Sequence, residues 1–288
     1  VIPGTFAYHR PRSVSEAIAL LADLGEEARP LAGGHSLIPM MKLRLAAPTA
    51  LVDLGAIADL RGVRRDGDSV VIGATTTMAE LIGSGELAAA VPIIRETALV
   101  IADPQVRARG TLGGNVANGD PGNDMPALMQ CLGAFYLVAG RGGAREIAAR
   151  DFYQGAFFTT LQPGEMVTGI RVPVPPAGHG WAYEKLKRKV GDYATAAAAV
   201  VLTMPGGRVA TVAIGLTNVG DTPLFAEDAG KILAGSVLDK ATVDRAVAAA
   251  EAITSPASDG RGPAEYRTKM AGVMLRRALA RAAARATH

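Results

Sequence analysis

The chain has 288 residues, 49% of them hydrophobic and 20% charged, the composition of a globular protein long enough to bury a substantial core. Its 30 Lys and Arg barely outnumber its 27 Asp and Glu, and no aromatic residues interleave the basic clusters at 185–189 and 276–285, which argues against a nucleic-acid role. The one cysteine, Cys131, excludes an internal disulfide, a cysteine-held iron–sulfur cluster and a thiolate zinc site, and fits a reducing, cytoplasmic setting.

Val1-Ile2-Pro3-Gly4 carries neither the charged nor the apolar region of a signal peptide. After an extended segment at 6–8, Ser13 is placed to cap a helix whose residues Val14, Ala17, Ile18, Leu21 and Leu24 recur at helical spacing until Gly25. A strand at 28–31 runs into Ala32-Gly33-Gly34-His35-Ser36, then a helix over 37–45 and a strand at 50–53. Segments 61–65 and 69–73 read as a hairpin around Asp66-Gly67-Asp68. Helices are expected over 78–83 and 92–102, followed by a long loop from 103 to 123. That loop ends at Asp124, the expected N-cap of a helix with Met125, Leu128, Met129 and Leu132 on one face; Cys131 is a small core residue there, and a strand at 135–139 follows. The Pro-rich run at 172–178 reads as an extended linker. Beyond it, 198–204 and 209–216 pair across Pro205-Gly206-Gly207, and helices over 228–233, 240–253 and 266–286 complete the chain. The longest apolar run, at 194–202, is too short to span a bilayer. The basic stretch 276–285 reads as a solvated helix face.

Two motifs carry chemistry. Ala32-Gly33-Gly34-His35-Ser36 and Thr111-Leu112-Gly113-Gly114-Asn115 share the form x-x-Gly-Gly-polar. Paired glycines reach φ > 0, present no Cβ to a ligand and aim successive N–H groups inward as an anion nest, for which a pyrophosphate is the natural guest. Ser36 can cap the next helix, whose N-terminal amides favour phosphate, while Ser36, Thr111 and Asn115 add neutral donors. No Walker lysine motif and no Gly-x-Gly-x-x-Gly opening a βαβ unit occurs. Either Gly-Gly could alone be a tight turn; together they suggest two walls of one site.

These two motifs resemble those of the FAD-binding subunit or domain of the molybdenum hydroxylases, the xanthine oxidase family. More narrowly, 30–39, 101–105, 118–131, 183–203 and 255–277 are similar to the medium subunits of aerobic, molybdenum–copper carbon monoxide dehydrogenases, over nearly the whole chain. The resemblance implies an α+β protein with a vanillyl-alcohol-oxidase-type FAD fold: FAD-binding subdomains at 1–56 and 57–176, and a C-terminal domain at 177–288 with a three-stranded antiparallel sheet and helices. It implies FAD in this chain, a large partner with the molybdenum–copper cofactor and a small partner with two [2Fe-2S] clusters, arranged as a dimer of heterotrimers. This chain would pass electrons onward to a quinone-linked acceptor, with no catalytic residue or metal of its own and with peripheral membrane association, if any, only through the complex.

By the same resemblance Ile101 and Ala102 line the flavin, although a helix-end core contact explains them equally. Asp124 accepts from ribityl or ribose hydroxyls. His35 contacts the pyrophosphate or simply packs its loop. Tyr193 covers one ring face, or is a half-buried tyrosine at a strand start. Lys185, first of a basic run alternating along a strand, approaches the flavin N1–C2=O edge or faces a partner. Other classes remain open: another hydroxylase acting on a heterocycle or an acyl-CoA thioester, a non-catalytic nucleotide-binding or assembly module, or an autonomous oxidase with covalent flavin, disfavoured because His35 is the only histidine in either motif.

Overall fold

The computed structural model describes residues 2–287. Its first unit is a parallel three-stranded sheet in which Ala50–Asp53 lies between Ala7–His9 and Ala28–Leu31. The Ser13 hydroxyl accepts from Glu16 N at 3.2 Å and starts the helix Val14–Leu24, which Gly25 ends at φ +72°. Ala17 and Leu21 of that helix are buried against Ala50 and Val52.

A five-stranded antiparallel sheet follows, in the order Val63–Asp66, Ser69–Gly73, Met166–Pro173, Phe135–Gly140, Gly143–Ala148. Its buried face, including Val70, Ile72, Val138 and Ile170, packs under helices Met78–Gly83, Gly85–Ala90, Pro92–Val100 and Asp124–Cys131. Gly85–Ala90, capped by Ser84, was not expected from the pattern. The expected 103–123 loop contains two more helices, Pro104–Arg107 capped by Asp103 and Leu112–Ala117 capped by Thr111. Both are shorter than two turns, too short for a periodicity to register.

The C-terminal unit is an antiparallel sheet of Gly180–Leu186, Ala196–Thr203 and Thr211–Thr217, with two-residue Leu224–Phe225 added at its edge. Helices Glu227–Leu233, Lys240–Ala252 and Ala264–Arg285 bury their apolar residues against one face. Gly180 lets the last of these lie flush, since a Cβ there would sit 1.9 Å from Ala282 O. The opposite face meets Asp124–Cys131 just as closely, with a Cβ on Gly215 falling 2.3 Å from Ala127 O. All eight residues of Asp124–Cys131 are therefore buried between the two sheets.

The Pro-rich run is less of a linker than its composition implies. Val172 and Pro173 belong to a strand, and Val174 N donates to Asp68 O at 2.9 Å. Nor is the basic stretch at 276–285 a purely solvated face. Arg285 lies over the Trp181 ring and bonds Glu96 at 2.7 Å, while Arg281 pairs with Glu184 and, at 3.3 Å, with Glu96.

Candidate functional site

A cleft of about 810 Å³ opens between these units. Residues 32–36, Ile101, Ala102, Thr111, Gly113, Gly114, Asn115, Asp124, Lys185 and Tyr193 all line it. The two glycine motifs meet at its floor because Gly33 has no side chain: a Cβ there would lie 2.4 Å from Arg109 O and 2.9 Å from Gly110 Cα. The second motif is pinned beneath. Met78 N donates to Gly110 O and Leu112 N to Thr76 O, each at 2.9 Å, and Gly113 N donates to Ala74 O at 2.8 Å. Gly113 serves close packing, since a Cβ would fall 2.5 Å from Ala74 Cβ.

The motifs look alike in sequence and offer a ligand different things. In the first, Gly34 turns at φ +75°, and the N–H groups of Gly33, Gly34, His35 and Ser36 meet no acceptor among the described residues. In the second, Leu112, Gly113, Gly114 and Asn115 donate to Thr76 O, Ala74 O, Thr111 Oγ1 and Thr111 O. The expected pair of amide nests is thus one open nest and one bare glycine surface. The second motif's remaining polar offer is the Thr111 hydroxyl and the Asn115 side chain, whose Oδ1 is buried without a partner among the described residues. Ser36 does not cap its helix: its backbone is already near-helical (φ −103°, ψ −53°), its hydroxyl caps nothing, and the helix is Leu37–Lys42. His35 stands exposed at the tip.

Asp124 is likewise not an N-cap. Asn123 occupies that position and its Nδ2 donates to Asn115 O at 2.8 Å, tying the second motif to the Asp124–Cys131 helix. Asp124 turns instead into a buried cluster. Lys185 Nζ lies 2.7 Å from Asp124 Oδ2, with the two side chains only 3% and 5% exposed. Tyr183 donates to Oδ1 at 2.6 Å and approaches Thr217 Oγ1 at 3.3 Å. Burial first, and the Asp124 carboxylate second, push the Tyr183 phenol well above its ordinary range, so it keeps its proton. Tyr183 stands two residues before Lys185 on one strand, hence on the same face; that period was the available signal for it.

The strand ends at Leu186, so the basic run leaves it there. Lys185 and Lys187 both reach Val100 O, at 3.4 and 3.3 Å, and Arg107 grips neighbouring carbonyls. Burial, then the Lys185 ammonium, lower the Lys187 pKa against an opposing pull from Asp124, with Arg107 lowering it further. Tyr193 is 41% exposed, with its ring edge against Gly122, where a Cβ would be 2.8 Å from Cδ1, and Arg261 over the ring at 5.7 Å. Ring burial and then Asp120 push its phenol up to about 12.

A flavin dinucleotide suits this donor set. The open amides match a diphosphate, the orphaned Asn115 oxygen matches a hydroxyl or ring N–H, and Leu31, Met40, Ile101 and Ala102 supply apolar wall. Comparison with known proteins agrees. Residues 4–175 match the family described as FAD binding domain in molybdopterin dehydrogenase, and residues 181–282 match the CO dehydrogenase flavoprotein C-terminal domain. The carbon monoxide dehydrogenase medium chain of Afipia carboxidovorans is 71% identical over 99% of both chains. A chain of reconstituted CO dehydrogenase from Oligotropha carboxidovorans superposes with a TM-score of 0.99 at 71% identity, covering 99% of this chain and 100% of that one. A chain of carbon monoxide dehydrogenase from Hydrogenophaga pseudoflava gives 0.98 at 52%, covering 100% of both. Matched in sequence and fold from end to end, the chain belongs to the FAD-binding flavoproteins of the molybdopterin dehydrogenases, among the carbon monoxide dehydrogenase medium chains.

Proposed function

We propose that this chain is the electron outlet of a carbon monoxide dehydrogenase complex. It holds FAD, receives electrons from two [2Fe-2S] clusters of a small partner and delivers them to an external, quinone-linked acceptor. Oxidation of CO with water to CO2 belongs to the molybdenum–copper cofactor of a large partner. The observation that carries this reading is the single cleft joining both glycine motifs, in a chain 71% identical to a carbon monoxide dehydrogenase medium chain. A dimer of heterotrimers, a cytoplasmic place at the inner membrane face and units at 1–56, 57–176 and 177–288 complete the proposal. No helix among the described residues is long and apolar enough to cross a membrane.

Bound FAD supplies the exchange between single-electron and paired-electron chemistry. The protein's part is binding and tuning. The N–H groups of Gly33, Gly34, His35 and Ser36 would hold the diphosphate, with Ala32 beside them; Gly114 would let it approach closely, Gly113 seats the second motif against Ala74, and Thr111 and Asn115 would bond polar edges. Ile101, Ala102 and Tyr193 bound the ring. Lys185 is balanced by Asp124 and also bonds Val100 O, so it offers one remaining N–H and little net charge, and Asp124 has two of its acceptor sites already taken.

The test uses purified complex. Ser36→Ala keeps the peptide N–H and retains FAD, whereas Ser36→Pro removes that donor and weakens FAD retention by about tenfold or more, since a hydrogen bond to a charged group contributes about 1.5–3 kcal/mol. Stoichiometric FAD in Ser36→Pro would overturn the open nest, and a complex without flavin, or without CO-dependent dye reduction, would overturn the function.

A further inference from the structure

The wall between the two glycine motifs departs from ordinary backbone geometry. The helix Pro92–Val100 stops, Ile101 turns extended, and Ala102 takes φ +44°. A left-handed conformation is sterically unfavourable for a residue with a Cβ, which approaches the following carbonyl oxygen too closely. It persists where the surroundings over-determine it, and such residues gather at ligand sites.

The surroundings here are cationic. Arg107 Nη1 donates to Ile101 O at 2.9 Å, to Ala102 O at 3.3 Å and to Leu99 O at 3.4 Å. Lys185 and Lys187 take the remaining carbonyl, Val100 O. Four consecutive carbonyls at a helix C-terminus thus collect three cations, which oppose the negative end of the helix dipole. Arg107 is itself placed by a short helix whose cap, Asp103, directly follows Ala102. Ile101 and Ala102 line the cleft, while Arg107 stands behind them outside its lining.

We propose that Arg107 is a positioning residue for the flavin. By bridging the carbonyls of Leu99, Ile101 and Ala102 it holds Ala102 in its left-handed turn and sets the wall that the cofactor meets. The turn is then ordered before FAD arrives. Without the guanidinium, its ordering becomes part of the binding step and FAD affinity falls. All three contacts come from the one nitrogen Nη1, so an ammonium brought to that point can make part of the same set, and Lys is a partial substitute. The inference rests on the assignment of this cleft to FAD.

The experiment compares purified complexes carrying the natural chain, Arg107→Ala, Ala102→Gly and both substitutions. It reads FAD retention, flavin midpoint potential, the fine structure of flavin absorbance and thermal stability with and without FAD. Arg107→Ala is expected to weaken FAD retention about tenfold, the factor that corresponds to about 1.4 kcal/mol, and to move the potential. Ala102→Gly alone measures what the Ala102 methyl, as part of the cleft wall, contributes to retention and potential, and sets the reference for the double variant. Combined with Arg107→Ala it restores most of the lost retention and potential, because glycine adopts positive φ without the Cβ clash.

If Arg107 only held the fold together, Arg107→Ala would lower the stability of the FAD-free protein, and Ala102→Gly would restore neither retention nor potential. That result, or an unchanged potential and FAD content in Arg107→Ala, overturns the proposal. Should Arg107→Ala fail to assemble, Arg107→Lys with and without Ala102→Gly gives the same reading at smaller amplitude. Loss of the cleft assignment would look different: the natural complex would itself lack FAD.

Discussion

The Lys185–Asp124 pair concentrates what single residues do here. Two charges lie almost wholly out of water, 2.7 Å apart, with Tyr183 donating to the same carboxylate. Removing one partner of such a pair leaves the other buried and uncompensated, at a cost of about 3–5 kcal/mol, while replacing both by apolar groups is often neutral. Lys185→Met should therefore lower the thermal midpoint of the complex sharply and release FAD, and adding Asp124→Leu should recover stability without recovering full FAD content; unfolding curves and flavin absorbance read the two separately. The sequence flagged both residues, but not that they were partners, since they lie 61 positions apart and meet only through the packing of two units. It also misplaced the helix cap. Asn123 and Asp124 are both good cap residues, and only the buried lysine explains why the carboxylate faces away from its own helix.

At the level of elements, the glycine motifs show how one pattern serves two physical ends. Gly34 is required by its positive φ, whereas Gly33 and Gly113 are required by close contact with backbone from elsewhere in the chain. Gly33→Ala places a methyl against Arg109 O and Gly110 Cα, neither of them a flexible side-chain tip, so it should cost about 1–3 kcal/mol and part the motifs. Gly191→Ala is the control, with φ +84° and nothing within 4 Å of its Cβ position: it should cost about 1 kcal/mol in backbone conformation alone. Denaturant unfolding ranks them, and flavin content should fall with Gly33→Ala. The long amphipathic helices were readable from spacing, and so was the Ala-rich hairpin from its turn. The four- and six-residue helices around Arg107 and Gly113 were not, being fixed by caps and tertiary contacts more than by any apolar period.

Across the whole molecule, Glu96 joins the flavin-binding part to the C-terminal unit. Its carboxylate accepts from Tyr183 N at 2.8 Å and from Arg285 at 2.7 Å, so one side chain holds the edge strand Gly180–Leu186 and the last helix together. Glu96→Ala should speed hydrogen exchange at the Tyr183 amide and lower stability by roughly 1–2 kcal/mol, since two charge-assisted bonds are lost from a partly exposed site. Unchanged exchange at that amide would show the strand to be held by its sheet alone. The Pro-rich run at 172–178 falls where one matched family region ends, at 175, and before the next begins, at 181, but composition could not reveal that the cleft draws on both sides of it. Because Lys185 and Tyr193 complete walls begun by residues 32–36 and 111–115, and Glu96 waits for Arg285, the amino-terminal segments leave the ribosome with an unfinished pocket. Cofactor loading consequently waits for the segment carrying Lys185 and Tyr193 to emerge and pack, because the cleft has no complete wall before then.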